Sequence, residues 1–405
     1  MISTGCTGSF WTEGRRTRAR KRRGKSEKCM EQNQTDDGRK QVRAKAYQQS
    51  QLQLGVLEEV CTILFLVVWV YLAAVVVDRL GLNNRYALLL VFGAILYFSY
   101  QAALFVLDYL GGYRLEHRYD LSTESLGQWL WRHTKAVVLW GVLLGVLVAG
   151  LYTAVWYVPY WAFWSWLAWM LLTVLLAQVF PVVILPLFYP SERLEDESLL
   201  ERFRQLSEGT GISVEGVYRL ELSKTTRKGN AMLAGLGRTR RVLLGDTILD
   251  KLGPEELDVV YTHELGHHVR RHFPKLLVVH ALASGMLFAL LYVLLDGFAG
   301  ASGQAVAESI VRLPVVALVM SLFSFLLRPG LNAISRHFER QSDRYALERT
   351  GSAEPFIRAF DALAEQNLAD PSPSRWVVIF YYDHPPIHER VAMARRWQEG
   401  ERSAS

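Results

Sequence analysis

The sequence predicts a mainly α, polytopic membrane protein, and three observations carry that prediction. Apolar residues make up 51% of the chain and gather into long uninterrupted blocks. Six of these blocks, residues 60–77, 86–107, 136–154, 161–187, 276–295 and 313–327, can cross or nearly cross the ~30 Å hydrocarbon layer. Lys and Arg outside the blocks number 13, 2, 4, 0, 14, 1 and 11 in chain order, an alternation that six spans with both termini on the cytoplasmic side produce.

Ahead of the first block, residues 1–54 carry 13 Lys/Arg against 5 Asp/Glu, an excess larger than the +6 of the whole chain, so the remainder is slightly acidic. A basic run beside a first span reads as a cytoplasmic tail near anionic lipid rather than a nucleic-acid arm. It lacks the apolar core of a signal peptide. The opening, with Gly5, Gly8, Gly14 and many arginines, reads as disordered, and Met30 offers an internal start that would remove residues 1–29. Residues 39–54 have helical composition and lead into the membrane. Cys6, Cys29 and Cys61 form neither a disulfide framework nor a metal spacing.

The fourth block is too long for a straight span, and Pro181 and Pro186 predict a break near its end. Its Trp161, Trp164, Trp166 and Trp169 suit an interfacial belt. The sixth block is short, follows Arg312 and contains Pro314, Ser321 and Ser324, which fit a buried bundle helix as well as a lipid-facing one. His280, in the fifth, fits a satisfied bundle group or a lining residue. Residues 111–135 form a loop on the side of the tail, where His117 and His133 read as ordinary polar residues.

Residues 189–275 are the largest soluble piece, with an amphipathic helix over 194–209 and a strand region over 212–222. Asn230-Ala231-Met232-Leu233-Ala234-Gly235 and Arg241-Val242-Leu243-Leu244 flank Gly237-Arg238-Thr239 and predict a hairpin, in which Asn230 by itself reads as a turn residue. Pro254, Glu255 and Glu256 open a helix whose buried face is Leu257, Val260, Tyr261 and Leu265. On it, His263 and His267 lie one turn apart on one face. Two imidazoles at that spacing hold one zinc ion, and Glu264 can take the proton of an attacking water. Gly266 leaves room for a substrate or a packed neighbour. His268, Arg270 and Arg271 fall largely off the buried face, and His268 and His272 read as solvent or interface residues.

Residues 332–343 contain no proline or glycine, so Glu339 and Asp343 share a helical face. Either Glu339 completes a zinc site while Asp343 orients a ligand histidine, or both acids pair with Arg336, Arg340 and Arg344 on a solvated face. Two blocks separate the histidines from Glu339, which returns them to the same side; one block would have excluded a shared site. Residues 353–368 form a further helix and 370–374 a linker, before Asp383-His384-Pro385 and a basic amphipathic end.

Four stretches together resemble the zinc-dependent, membrane-embedded CAAX prenyl proteases of type I and their prokaryotic relatives. They are Asn230-Ala231 with Gly235; His263-Glu264-Leu265-Gly266-His267; the run from Asn332 through Ser335, Arg336 and Glu339 to Asp343; and Asp383-His384-Pro385 with Arg390. The resemblance implies a gluzincin-like cytoplasmic metalloprotease domain containing a small β-hairpin. It implies one Zn2+ per chain on His263, His267 and Glu339, with Glu264 as general base and then proton donor. His384 would act on the scissile carbonyl or its oxyanion, with Asn230, Asp343 and Arg390 shaping or supporting the cleft. Asp383 stands where several relatives carry serine.

The expected organisation is a tail over 1–54, four spans over 55–190 with a cytoplasmic loop at 108–135, protease segments over 191–275 and 328–405, and two spans over 276–327. Expected partners are the bilayer and a peptide or membrane-protein substrate, lipidated or not, with no nucleic acid. The eukaryotic members have seven spans around an intramembrane chamber, one more than the six blocks here. The alternatives are a quality-control protease of the HtpX type and, less favoured because Glu264 is intact, a silent scaffold stabilised by zinc.

Overall fold

The computed structural model describes residues 10–212, 214–235, 240–296 and 304–404. The expected turn at Gly237-Arg238-Thr239 lies outside them. Among the described residues, six helices are long and apolar enough to cross a membrane: Gly38–Leu80, Arg85–Arg118, Leu126–Tyr157, Trp161–Phe188, His272–Leu295 and Glu308–Thr350. Each contains one of the expected blocks.

Helix α1 (Phe10–Leu80) is continuous, so the stretch expected to be disordered is helical from Phe10 on, and residues 39–54 do lead straight into the first span. Its sequence contains no proline to stop it. Asn84 caps α2 (Arg85–Tyr109), accepting from the backbone N–H groups of Tyr86 and Ala87, each at 3.0 Å. The chain continues through a π-helical turn at Leu110–Leu115 and the short α3 (Glu116–Arg118). Ser125 and Gln128 form a reciprocal capping box that starts α4 (Leu126–Tyr157). Tyr160, left-handed at φ 55°, turns the chain into α5 (Trp161–Val179). The helix is not broken as Pro181 and Pro186 predict: a π-helical turn at Phe180–Ile184, containing Pro181, leads directly into α6 (Leu185–Phe188).

The soluble part holds a four-stranded sheet in the order β1-β2-β4-β3. β1 (Ser191–Arg193) pairs antiparallel with β2 (Gly216–Leu220), and β2 pairs parallel with β4 (Arg241–Gly245). β3 (Ala231–Ala234) is the other edge, antiparallel to β4 with Leu233 opposite Val242. Helices α7 (Glu197–Ser207) and α8 (Asp246–Leu249) flank it. Helix α9 (Pro254–Val269) packs under the sheet, and its Tyr261 stacks on Phe203 of α7 at 4.1 Å between ring centroids.

Arg271, at φ 56°, turns α9 into the membrane helix α10 (His272–Leu295). Helix α11 (Gln304–Val311) locks the bundle core, where Ser309 accepts from the Tyr152 hydroxyl and the Trp156 indole, each at 3.1 Å. Helix α12 (Leu313–Thr350) then runs unbroken from the sixth block to the Glu339 segment, despite Pro329. At 1.5 Å per residue its 38 residues extend about 57 Å. Gly351, at φ 66°, terminates it and leads to α13 (Ala353–Gln366), α14 (Arg375–Tyr381) and α15 (Ile387–Ala404). A second soluble core forms where Val259 of α9 and Ala346 of α12 meet Phe356, Phe360 and Ala394. Burying a side chain such as Phe356 contributes about 1.5–3 kcal/mol.

Candidate metal centre and substrate edge

Helices α9 and α12 approach closely because Gly266 has no side chain. A Cβ there would lie 3.2 Å from the Ser342 backbone and 3.1 Å from the Tyr345 ring. The packed-neighbour role of Gly266 is therefore the one observed. The contact brings together His263, His267 and Glu339, whose candidate ligand atoms lie within 4.8 Å of one another.

Their orientations define the chemistry. His263 Nδ1 lies 2.9 Å from Asp343 Oδ1, which leaves Nε2 facing the centre. That Nε2 is 3.2 Å from Glu339 Oε2 and 3.3 Å from His267 Nε2, and His267 Nε2 is 3.3 Å from Glu339 Oε1. Ligands about 2.0–2.1 Å from one tetrahedral ion stand roughly 3.3 Å apart, so the spacing fits. Glu339 Oε2 is buried against the His263 nitrogen. A buried carboxylate set against two imidazoles is costly unless a cation joins them, either a ring proton or a metal ion. The donor set, two nitrogens and one oxygen, is one that zinc accepts.

Burial pulls the His263 pKa down, but hydrogen bonds to Asp343 and Glu339 outweigh it and hold the pKa above its usual value. Asp343 is itself held by Arg390, whose Nε donates to Oδ2 at 2.9 Å and whose Nη2 bonds Oδ1. The Arg390 guanidinium lies 3.7 Å above the Phe360 ring centre. The alternative of a solvated acidic face does not hold. Glu339 and Asp343 are buried, while Arg340 pairs with Glu389 and Arg344 with Glu348. Arg336 is buried as well, with both its hydrogen bonds on main-chain carbonyls.

Glu264 points at the sheet edge, where its Oε2 accepts from the Leu233 backbone N–H at 3.3 Å. The Leu233 carbonyl lies 3.1 Å from His268 Nε2. The edge strand β3 thus lies along the metal helix, and Asn230, exposed, opens it. Asn367 fixes the approach to the strand, accepting from Gly229 N–H at 2.8 Å and donating to its carbonyl at 3.2 Å. A polar cavity of about 520 Å³ is lined in part by Glu58, Asp108, Trp129, Arg132 and Lys228.

His384 reaches the centre from the other side, its Nε2 3.4 Å from Glu339 Oε1 and its Nδ1 2.8 Å from Asp383 Oδ1. Burial lowers its pKa, but the bond to Asp383 and the charge of Glu339 outweigh it, and the net shift is upward. Asp383 therefore orients the imidazole and favours its doubly protonated form.

Of the two positions expected for His268 and His272, solvent or interface, the structure shows the interface for both. His272 is 1% exposed, stacked on Phe338, with Nδ1 3.1 Å from His267 Nδ1 and Nε2 3.0 Å from Gln341 Oε1. His268 faces the edge strand rather than solvent. The left-handed turn at Arg271 folds His272 back beneath His267, which helical periodicity alone does not reveal. His117 bonds the carbonyls of Tyr113 and Glu124, and His280 accepts from the Trp169 indole at 3.0 Å. Both are held by ordinary structural bonds.

Comparison with known proteins bears on the family and the fold. A sequence model described as peptidase family M48 matches residues 193–398. One described as CAAX prenyl protease N-terminal, five membrane helices, matches residues 31–190, where this chain has four candidate spans. The Bacillus subtilis protein "uncharacterized metalloprotease YhfN" is 30% identical over 225 residues, covering 53% of this chain and 52% of that one. "CAAX prenyl protease 1" of Saccharomyces cerevisiae is 26% identical over 232 residues, covering 53% and 51%. The chain thus spans about half the length of the curated relatives it matches. The crystal structure of S. mikatae Ste24p superposes with a TM-score of 0.72 at 18% identity, covering 87% of this chain and 88% of that one, a likeness of fold.

Proposed function

The chain belongs to peptidase family M48, and from that premise we propose that it is an integral membrane zinc endopeptidase with one ion held by His263, His267 and Glu339. The observation that carries the proposal is the convergence of those three donors beside Glu264, whose carboxylate meets the edge strand β3 at Leu233. A zinc ion at that point supplies Lewis acidity, polarising a carbonyl and making water a nucleophile near neutral pH.

The side chains do the rest. An extended peptide adds to β3 through its main chain, which tolerates varied sequence, with Asn230 at the start of that edge. Glu264 takes the proton of the attacking water and returns it to the leaving amine. His384 offers an N–H to the oxyanion, its other nitrogen held by Asp383. Asp343, itself held by Arg390, fixes the His263 ring so that Nε2 faces the ion. The termini and the site lie on the cytoplasmic side by the distribution of Lys and Arg.

The substrate is a CAAX-type, lipid-modified peptide, a reading supported by relatives named for that activity and by the match to their membrane region. The test compares farnesylated and unmodified forms of one CAAX-type peptide, with Glu264→Gln as control. Cleavage of the farnesylated form alone supports the proposal. Equal cleavage of both moves the substrate to membrane proteins in general. The Glu264→Gln variant keeps its metal and loses turnover by about 10²–10⁴-fold; full activity in it overturns the mechanism.

A further inference from the structure

We infer that Arg336 is a positioning residue for His384, acting by gripping the main chain that carries it; the role presupposes the metalloprotease site proposed above. Helix α14 has only seven residues, and its terminal carbonyls have no partner within the helix. Two side chains of α12 fill that need. Asn332 Nδ2 donates to the Phe380 carbonyl at 2.9 Å. Arg336 Nη1 donates to the Val378 carbonyl at 2.8 Å and to the Tyr382 carbonyl at 2.5 Å. Tyr382 is two residues from His384.

The placement along α12 shows what the grip accomplishes. Asn332, Arg336, Glu339 and Asp343 follow at steps of four, three and four, so one helical face carries all of them. Arg336 holds the chain just before His384. Asp343 holds Arg390, six residues after His384. Glu339 lies between Arg336 and Asp343 on the helix, as His384 lies between Tyr382 and Arg390 on the facing segment. The imidazole is thereby suspended over the carboxylate it faces at 3.4 Å. Arg336 is 7% exposed, so this cation has been withdrawn from water to bond carbonyls. A planar, forked donor bridges two carbonyls from a fixed plane, whereas an ammonium on a flexible stem does not hold them in the same register.

Displacement of a catalytic group by about 1 Å can cost roughly 100-fold in rate. Arg336→Gln is therefore expected to lower kcat about 30- to 100-fold with KM within about twofold and with metal content unchanged. Arg336→Lys, which keeps charge and length, recovers part of that loss. The decisive comparison is the Arg336→Gln, His384→Ala double variant. If Arg336 acts through His384, the double variant is no slower than His384→Ala alone. Multiplying losses, an unchanged kcat, or loss of metal in Arg336→Gln overturns the role.

Amide hydrogen exchange gives a readout that needs no substrate. In both Arg336 variants the segment 380–386 is expected to exchange faster while α9 keeps its protection. Unaltered exchange there, or loosening of α9 and α12 together, overturns the inference. The same measurement separates its failure from failure of the protease reading, which leaves exchange untouched and abolishes cleavage in the unmodified protein.

Discussion

The imidazole of His272 lies 3.1 Å, nitrogen to nitrogen, from that of His267, behind the face that His267 turns toward Glu339. A ring held from behind presents its free nitrogen in a fixed direction. His272→Phe keeps the stack on Phe338 but removes the bond. Metal affinity is expected to fall about 10- to 100-fold, measured by retention of metal against a graded chelator. Unchanged retention would show that His267 is oriented by other contacts.

The raised pKa of His263 sets a pH dependence. In the metal-free protein this ring keeps its proton through neutral pH, so a metal must displace that proton to bind. Acidification therefore weakens binding, by up to about tenfold per pH unit while one proton is released. The same shift stabilises the metal-free fold at low pH, and that contribution fades as pH rises from the ordinary histidine value through the raised one. Metal titrations between pH 6 and 8 check the slope; a flat profile contradicts the displaced proton.

Gly266 permits the closest approach of α9 and α12. In Gly266→Ala the new Cβ meets backbone at Ser342, which has no rotamer to yield. The helices must separate, at a cost of about 1–3 kcal/mol. Lower thermal stability together with reduced metal retention is expected, compared with Gly330→Ala, where nothing lies within 4 Å of the added atom.

Asn367 mimics a strand partner for Gly229. Asn367→Ala leaves that N–H and carbonyl unpaired and should destabilise the protein by about 1–3 kcal/mol. Because Gly229 precedes the edge strand, KM for a peptide should rise more than kcat falls. A kcat loss at constant KM would place the effect elsewhere.

The sequence announces the metal helix because a proline with acids in the first turn, an apolar face and a ligand pair coincide within α9. The hairpin is legible for a similar reason, as two apolar runs flank a glycine turn. Other features depend on contacts between distant segments. Arg336, Arg340 and Arg344 look alike in the chain, yet Arg336 alone of the three is buried, because only it faces α14. The three-residue β1 and the parallel pairing of β2 with β4 are too brief to show periodicity. Nor does any local pattern mark Asn367, whose partner lies 138 positions upstream.

The continuity of α12 bears on how the molecule is made. Residues up to Val269 already contain His263, Glu264 and His267, and the sheet they need precedes them. The third donor rides on a helix that first crosses the bilayer, so synthesis must pass both later spans before Glu339 meets the histidines. A ribosome-bound chain stopped before that point holds no complete metal site. On the proposed reading, the metal site would thus stay incomplete during insertion of the chain and close only once the bundle is whole.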